Sequence, residues 1–273
     1  MFLRQIKFLK LLSIMLLVVA LGGCIGKFIY YPMEEIRFTP ADQNLSYEWI
    51  ELTSKDGTKI SGWWIPASPQ RGVVLFCHGN GGNISYLVDT AVIFHRLGLS
   101  SLFFDYRGYG KSEGSPSEEG TYLDAEAAWY YLVENRKIAP ENIIIAGRSL
   151  GGPIAAWLAC RHNPGLLILE STFTSLADLT RERFPWFPLI FVRNYRYDTL
   201  HYLEGVHCPV LVIHSRTDEV APFHHGQKLF EAAGEPKMFV EIEGSHNVGF
   251  YRSLPHYEAS LEAFISKYLE SEK

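Results

Sequence analysis

Three side chains far apart in the sequence, Ser149, Asp218 and His246, have the types needed to turn an alcohol into a nucleophile. A serine hydroxyl is weakly nucleophilic at neutral pH and needs a base within hydrogen-bond reach, itself oriented by a fixed acid. In such an arrangement His246 takes the Ser149 proton and returns it to the leaving group, while Asp218 holds the tautomer and stabilises the imidazolium. The chemistry open to such a set is nucleophilic attack by an activated alcohol.

Ser149 stands in Gly147-Arg148-Ser149-Leu150-Gly151, directly after the β-branched apolar run Ile143 to Ala146 and directly before a helical pattern from Pro153 to His162. A Gly-x-Ser-x-Gly between buried strand and helix forms a tight turn that lifts the hydroxyl clear of the sheet edge. Small neighbours are needed because other chain passes close by. A second match, Gly110-Lys111-Ser112-Glu113-Gly114, lies in a polar loop several residues beyond its nearest strand, so Ser112 is read as a turn residue. Asp218 follows the apolar run Pro209 to His214, and His246 follows the run Lys237 to Ile242. Both sit where an open α/β sheet places ligand-facing groups, just past strand carboxyl ends. The competing acids are Asp178, Asp198 and Glu219; the competing bases are His224, His225 and His256, all on helix-like segments.

Developing negative charge on a substrate oxygen needs backbone N–H donors. One is expected from Leu150, where the helix after the nucleophile begins. The other is expected from Asn80, with Gly81 as the fallback, in the loop His78-Gly79-Asn80-Gly81-Gly82-Asn83 after the buried run Val73 to Cys77. No G-x-G-x-x-G follows that run, so a dinucleotide is not expected and no cofactor is implied. Asp105-Tyr106-Arg107 is read as knitting its own loop together.

These groups need a scaffold. Tyr47–Leu52 and Thr58–Ile65 read as a hairpin about Lys55-Asp56-Gly57. Beyond it, strand signals alternate with helix signals at 84–97, 118–135, 226–233 and 254–269. That alternation predicts an α/β fold, a mostly parallel central sheet of about eight strands flanked by helices. The expected domain spans 46–273. Between Ser171 and Gly205 the alternation breaks at an aromatic, proline-interrupted stretch, Phe184-Pro185-Trp186-Phe187-Pro188-Leu189-Ile190-Phe191. It is read as a short cap at about 172–205, lining an acyl pocket or touching lipid.

The N-terminus stands apart. Arg4, Lys7 and Lys10 precede an apolar run from Leu11 to Leu21 that ends in Leu21-Gly22-Gly23-Cys24. Residues 1–23 read as a signal peptide, since the run is short for a membrane span of about 20 residues. The ending resembles a bacterial lipobox, which implies lipidation of Cys24, a linker over 24–45 and an extracytoplasmic domain on a membrane anchor. The alternative is an uncleaved signal anchor.

Composition narrows the rest. Across 273 residues, 47% are hydrophobic and 20% charged, which fits a globular domain; a net charge of −5 without a Lys/Arg cluster argues against nucleic acid. Four cysteines make no disulfide framework, and no Cys/His grouping has zinc-ligand spacing, so no metal is expected.

With the elbow, the His-Gly loop, the Asp105-to-Gly110 segment, Asp218 and His246 in order, the chain resembles the α/β-hydrolase superfamily. It looks most like small-capped, membrane-tethered serine hydrolases akin to monoacylglycerol lipases and acyl-protein thioesterases. The resemblance implies cofactor-free hydrolysis of carboxylic esters or thioesters, of small-molecule or lipid origin, through an acyl-enzyme. Ser215 departs from it, standing where relatives often carry glycine. The competing expectations are a serine peptidase of the same fold and a non-catalytic lipid-anchored binding protein.

Overall fold

A computed structural model describes residues 26–269. The expected signal peptide 1–23 and lipidated Cys24 lie outside the described residues. The strands are β1 (Tyr31–Pro32), β2 (Glu48–Thr53), β3 (Lys59–Ile65), β4 (Gly72–Cys77), β5 (Gly81–Gly82), β6 (Leu99–Phe104), β7 (Ile143–Arg148), β8 (Leu166–Glu170), β9 (Val210–Ser215) and β10 (Lys237–Ile242). Eight of them form one sheet in the order β10-β9-β8-β7-β4-β6-β3-β2. Only β3 runs against the rest, antiparallel to both β2 and β6.

The central strands β4, β6, β8 and β9 are buried at every position, which a parallel sheet achieves only with helices on both faces. Successive residues point to opposite faces. Val73, Leu75 and Cys77 pack with helices α2 (Glu118–Tyr130) and α3 (Gly151–His162), while Val74 and Phe76 pack with α1 (Val88–Arg96) and α6 (Leu254–Tyr268). α4 (Leu176–Arg183) lies in the interruption before β9, and α5 (Phe223–Ala232) between β9 and β10.

Several boundaries differ from the sequence expectation. The helix expected from 84 opens as a 3-10 turn, Ile84–Leu87, because the Asn83 side chain accepts the Ser85 N–H at 2.9 Å. The helix expected to 135 widens into a π-turn over Tyr131–Asn135. α5 begins at Phe223, directly after Pro222, ahead of the expected Gly226.

The stretch expected as a linker is laid against the domain. Ile29 and Tyr30 are buried, the Tyr30 hydroxyl lies 2.7 Å from that of Tyr197, and β1 pairs in parallel with β5. The interruption 171–205 carries α4, a 3-10 turn at Leu189–Phe191 and a helical turn at Thr199–Leu203. Glu118, in the first turn of α2, accepts the backbone N–H groups of Arg196 (2.6 Å) and Tyr197 (2.7 Å) and so ties this excursion down. Its tip stays uncovered: Phe184, Trp186 and Ile190 are 52%, 77% and 49% exposed. Among the described residues no helix is long and apolar enough to cross a membrane.

Candidate active site

Ser149 occupies the turn between β7 and α3 with φ at +55°, in the left-handed region that costs a β-carbon residue energy. The surroundings hold it there. Its N–H donates to the Glu170 carbonyl at 3.0 Å, and its carbonyl accepts from the Gly152 N–H and the Thr172 hydroxyl at 2.9 and 2.7 Å. The flanking glycines are sterically required: a β-carbon at Gly151 would meet the Cys77 carbonyl oxygen at 1.9 Å, and one at Gly147 the Gly151 carbonyl oxygen at 2.2 Å.

From β9 and β10 come the other two groups. The Ser149 hydroxyl lies 3.0 Å from His246 Nε2, and His246 Nδ1 lies 2.8 Å from Asp218 Oδ2. The opposite oxygen, Asp218 Oδ1, accepts the N–H groups of Val220 (2.9 Å) and Ala221 (2.8 Å). Burial alone would raise the Asp218 pKa, but the His246 bond and these amides outweigh it and hold the carboxyl below its ordinary value. With Asp218 ionised, Nδ1 donates to it and Nε2 is left to accept the Ser149 proton.

Two supports carried no legible signal in the sequence. Ser215, the departure noted above, donates its hydroxyl to the Gly244 carbonyl and so links the loop bearing Asp218 to the loop bearing His246. Buried His214 bonds the Ala221 carbonyl at 2.7 Å and lies 3.7 Å from Asp218 Oδ2; burial lowers its pKa, leaving it neutral beneath the acid. Glu219 also has a defined place, accepting the backbone N–H of His246 at 3.0 Å.

The loop after β4 passes beside the nucleophile. A β-carbon at Gly79, the residue before Asn80, would stand 3.5 Å from Ser149 Cβ, an ordinary contact. Leu150, buried, immediately precedes α3. Around this loop the Asp105-to-Gly110 segment is a brace. The Tyr106 hydroxyl donates to the His78 carbonyl (3.1 Å), the Tyr109 hydroxyl to the Asn80 carbonyl (2.8 Å), and Asp105 accepts the Ile84 N–H (2.8 Å). Arg107 turns away to Asp124 and Asp56.

The remaining candidates sit elsewhere. The Ser112 hydroxyl accepts the Ser61 N–H and donates to the Asp105 carbonyl. Asp178 pairs with Arg181, Asp198 caps the Thr199–Leu203 turn, and His256 is exposed on α6. His224 and His225 of α5 reach Glu182 of α4 at 2.9 and 3.4 Å, a group of three possible metal ligands. The Thr174 N–H, however, donates to His225 Nδ1, which puts the ring proton on Nε2, facing Glu182. The two histidines and Glu182 thus bring the interruption before β9 into contact with α5. Cys77, Cys160 and Cys208 are free thiols.

The comparisons agree with this architecture. Residues 72–205 match the family model described as alpha/beta hydrolase fold. An uncharacterized protein of Mycobacterium tuberculosis is 39% identical over 201 residues, 72% of each chain. The alpha/beta hydrolase domain-containing protein WAV2 of Arabidopsis thaliana is 33% identical over 271 residues, covering 89% of this chain and 87% of its own. An esterase of Pyrococcus furiosus superposes with a TM-score of 0.75 at 20% identity, over 88% of this chain and 98% of its own, a likeness of fold. On sequence, sheet order and the Ser149 elbow together, the chain belongs to the alpha/beta hydrolase superfamily.

Proposed function

We propose that this protein is a serine hydrolase that cleaves carboxylic esters or thioesters of acyl chains at a membrane surface. The observation that carries the reading is the unbroken hydrogen-bonded line Ser149 Oγ to His246 Nε2 (3.0 Å) and His246 Nδ1 to Asp218 Oδ2 (2.8 Å). His246 removes the Ser149 proton as the hydroxyl attacks the acyl carbon, and the ionised Asp218 stabilises the imidazolium. The carbonyl oxygen gains charge facing the N–H groups of Asn80 and Leu150, in the strengthened field of a helix start. Collapse expels the alcohol or thiol with the proton from His246, and water then repeats the sequence on the acyl-enzyme.

The aromatic cap supports an apolar acyl group, and its exposed Phe184, Trp186 and Ile190 support contact with lipid. A tether of the monoacylglycerol-lipase-like type rests on the sequence of residues 1–24 alone.

The test is turnover of p-nitrophenyl esters and acyl thioesters of graded chain length, with fluorophosphonate labelling. Wild-type protein is expected to label at Ser149 and to turn over esters; Ser149→Ala loses labelling and roughly 10⁴-fold or more in kcat. Equal rates for the two proteins would remove Ser149 from the chemistry.

A further inference from the structure

The segment that leads out of the apolar N-terminus is hydrogen-bonded to the loop that carries the second oxyanion donor. Tyr31 N–H donates to the Asn80 carbonyl at 2.8 Å, and the Asn80 side chain returns the bond by donating to the Ile29 carbonyl at 2.9 Å. One step further on, Met33 N–H donates to the Gly82 carbonyl at 3.0 Å, and the Asn83 side chain donates to the carbonyls of Met33 and Glu35, each at 2.8 Å. This is the parallel β1–β5 pairing, Tyr31 opposite Gly81 and Pro32 opposite Gly82. The loop needs such bonds. Gly81 has no neighbouring atom within 4 Å of where a β-carbon would be, and Gly82 sits at a φ of +82°. A glycine-rich stretch of this kind leans on hydrogen bonds to its backbone, here from the arm as well as from the Tyr109 hydroxyl on the Asn80 carbonyl.

The arm is fixed at its other end too. Tyr30 is buried, and its hydroxyl lies 2.7 Å from that of Tyr197, which in turn lies 3.0 Å from the Thr121 hydroxyl. The arm thus joins cap, α2 and oxyanion loop within a few residues of the segment expected to carry the anchor.

We infer that residues 29–33 are a positioning element of the active site: through the paired bonds between Tyr31, Ile29 and Asn80 they aim the Asn80 N–H at the transition-state oxygen. The inference rests on the proposed hydrolase reading. An oxyanion hole works by preorganisation, and losing one donor costs roughly 10²–10³ in kcat. A donor freed to wander loses part of that. Substrate binding in the ground state changes little, because the charge is not yet formed.

The experiment uses full-length protein in detergent. Tyr31→Pro removes the N–H that meets Asn80, Asn80→Ala removes the returning side-chain bond, and Tyr31→Ala keeps the N–H on an exposed side chain. The expected result is a roughly tenfold or greater fall in kcat for Tyr31→Pro and Asn80→Ala at near-constant KM. The affinity of an alkyl boronic acid, which forms a tetrahedral adduct, falls in step, and Tyr31→Ala behaves as wild type. Hydrogen exchange is expected to speed up over residues 78–83 while the rest of the sheet is unchanged. Unchanged exchange at 78–83 would overturn the inference whatever the activity, as would a kcat within twofold of wild type in both variants. A wild-type protein that neither turns over esters nor labels would instead sink the hydrolase reading, with the exchange measurement still deciding whether the arm holds the loop.

Discussion

The Ser215 hydroxyl donates to the carbonyl of Gly244, joining the loop that carries the acid to the loop that carries the base. Ser215 is fully buried at the end of β9 and also accepts the Thr217 N–H at 3.2 Å, while the Thr217 hydroxyl makes a parallel bond to Gly244 at 3.0 Å. The relative placement of Asp218 and His246 therefore depends on a crosslink between strand ends as well as on the bond between the two side chains.

Ser215→Ala removes that crosslink and leaves the Thr217 bond as a partial substitute. A hydrogen bond of this kind contributes about 1 kcal/mol. Urea unfolding is expected to show a loss of that size, with a fall in kcat of up to roughly tenfold as His246 loses its fixed distance to Ser149. A variant with wild-type stability and wild-type kcat would mean that the Thr217 bond suffices alone.

The parts of this site that could be read from the sequence are those whose residue types have few alternatives. Gly147 and Gly151 are needed because carbonyl oxygens stand where their β-carbons would be, and a buried strand before Ser149 with a helix after it separates it from Ser112. Asp218 and His246 were legible because each follows an apolar run at a strand's carboxyl end. His214 was not: a histidine at the end of an apolar strand looks the same whether it lies beneath an acid or packs elsewhere. The stretch 24–45 reads as a linker whose Tyr30-Tyr31-Pro32 packs on the domain surface, and Tyr30 is indeed buried there. Its bonds to Asn80 and Gly82 were hidden for a different reason: they are mostly made by backbone groups, which every residue type carries. Boundaries at Ile84 and Tyr131 shifted because a side-chain cap and a π-turn leave the hydrophobic period nearly unchanged.

Asp105 and His78 lie 3.7 Å apart, both buried, and exchange one proton between the folded and unfolded chain. Burial raises Asp105 from 3.8 to about 7 against the Ile84 N–H, and burial lowers His78 from 6.5 to about 4 against its bond to the Gly79 carbonyl. Between those limits the unfolded chain holds its proton on the imidazole and the folded chain holds it on the carboxyl. A raised carboxyl contributes stability at low pH that is lost as pH rises through about 7; a lowered imidazole contributes stability at higher pH that is lost as pH falls from 6.5 toward about 4. In the wild type the two slopes oppose. Asp105→Asn removes the first, so its stability relative to wild type is expected to rise with pH between about 4 and 6.5, by up to about 1.4 kcal/mol per pH unit. His78→Asn is expected to tilt the other way over the same window. Urea unfolding across that range measures both, and curves parallel to wild type would show that neither group keeps its shifted state.

The tip of the cap combines apolar exposure with positive charge on an otherwise acidic protein. Phe184, Trp186 and Ile190 are exposed, and between Leu176 and Arg196 the exposed Arg181, Arg183, Arg193 and Arg196 outnumber Asp178 and Glu182. The arm enters beside this cap, with the Tyr30 and Tyr195 rings 6.3 Å apart and Phe28 72% exposed. An aromatic cluster among arginines suits the interface of an anionic bilayer, where indole rings settle and basic side chains each contribute about 1 kcal/mol. Trp186→Ser alters a side chain with little packing of its own, so stability is expected to stay within about 0.5 kcal/mol of wild type. Turnover of a short, water-soluble ester is expected to be unchanged. Turnover of a long-chain ester presented in vesicles containing phosphatidylglycerol is expected to fall severalfold, and the fall should shrink in neutral vesicles. Brominated lipids provide the direct measure: tryptophan emission of the wild type is expected to be quenched, and the Trp186→Phe variant to lose that quenching. Equal quenching of the two proteins would place Trp186 outside the bilayer.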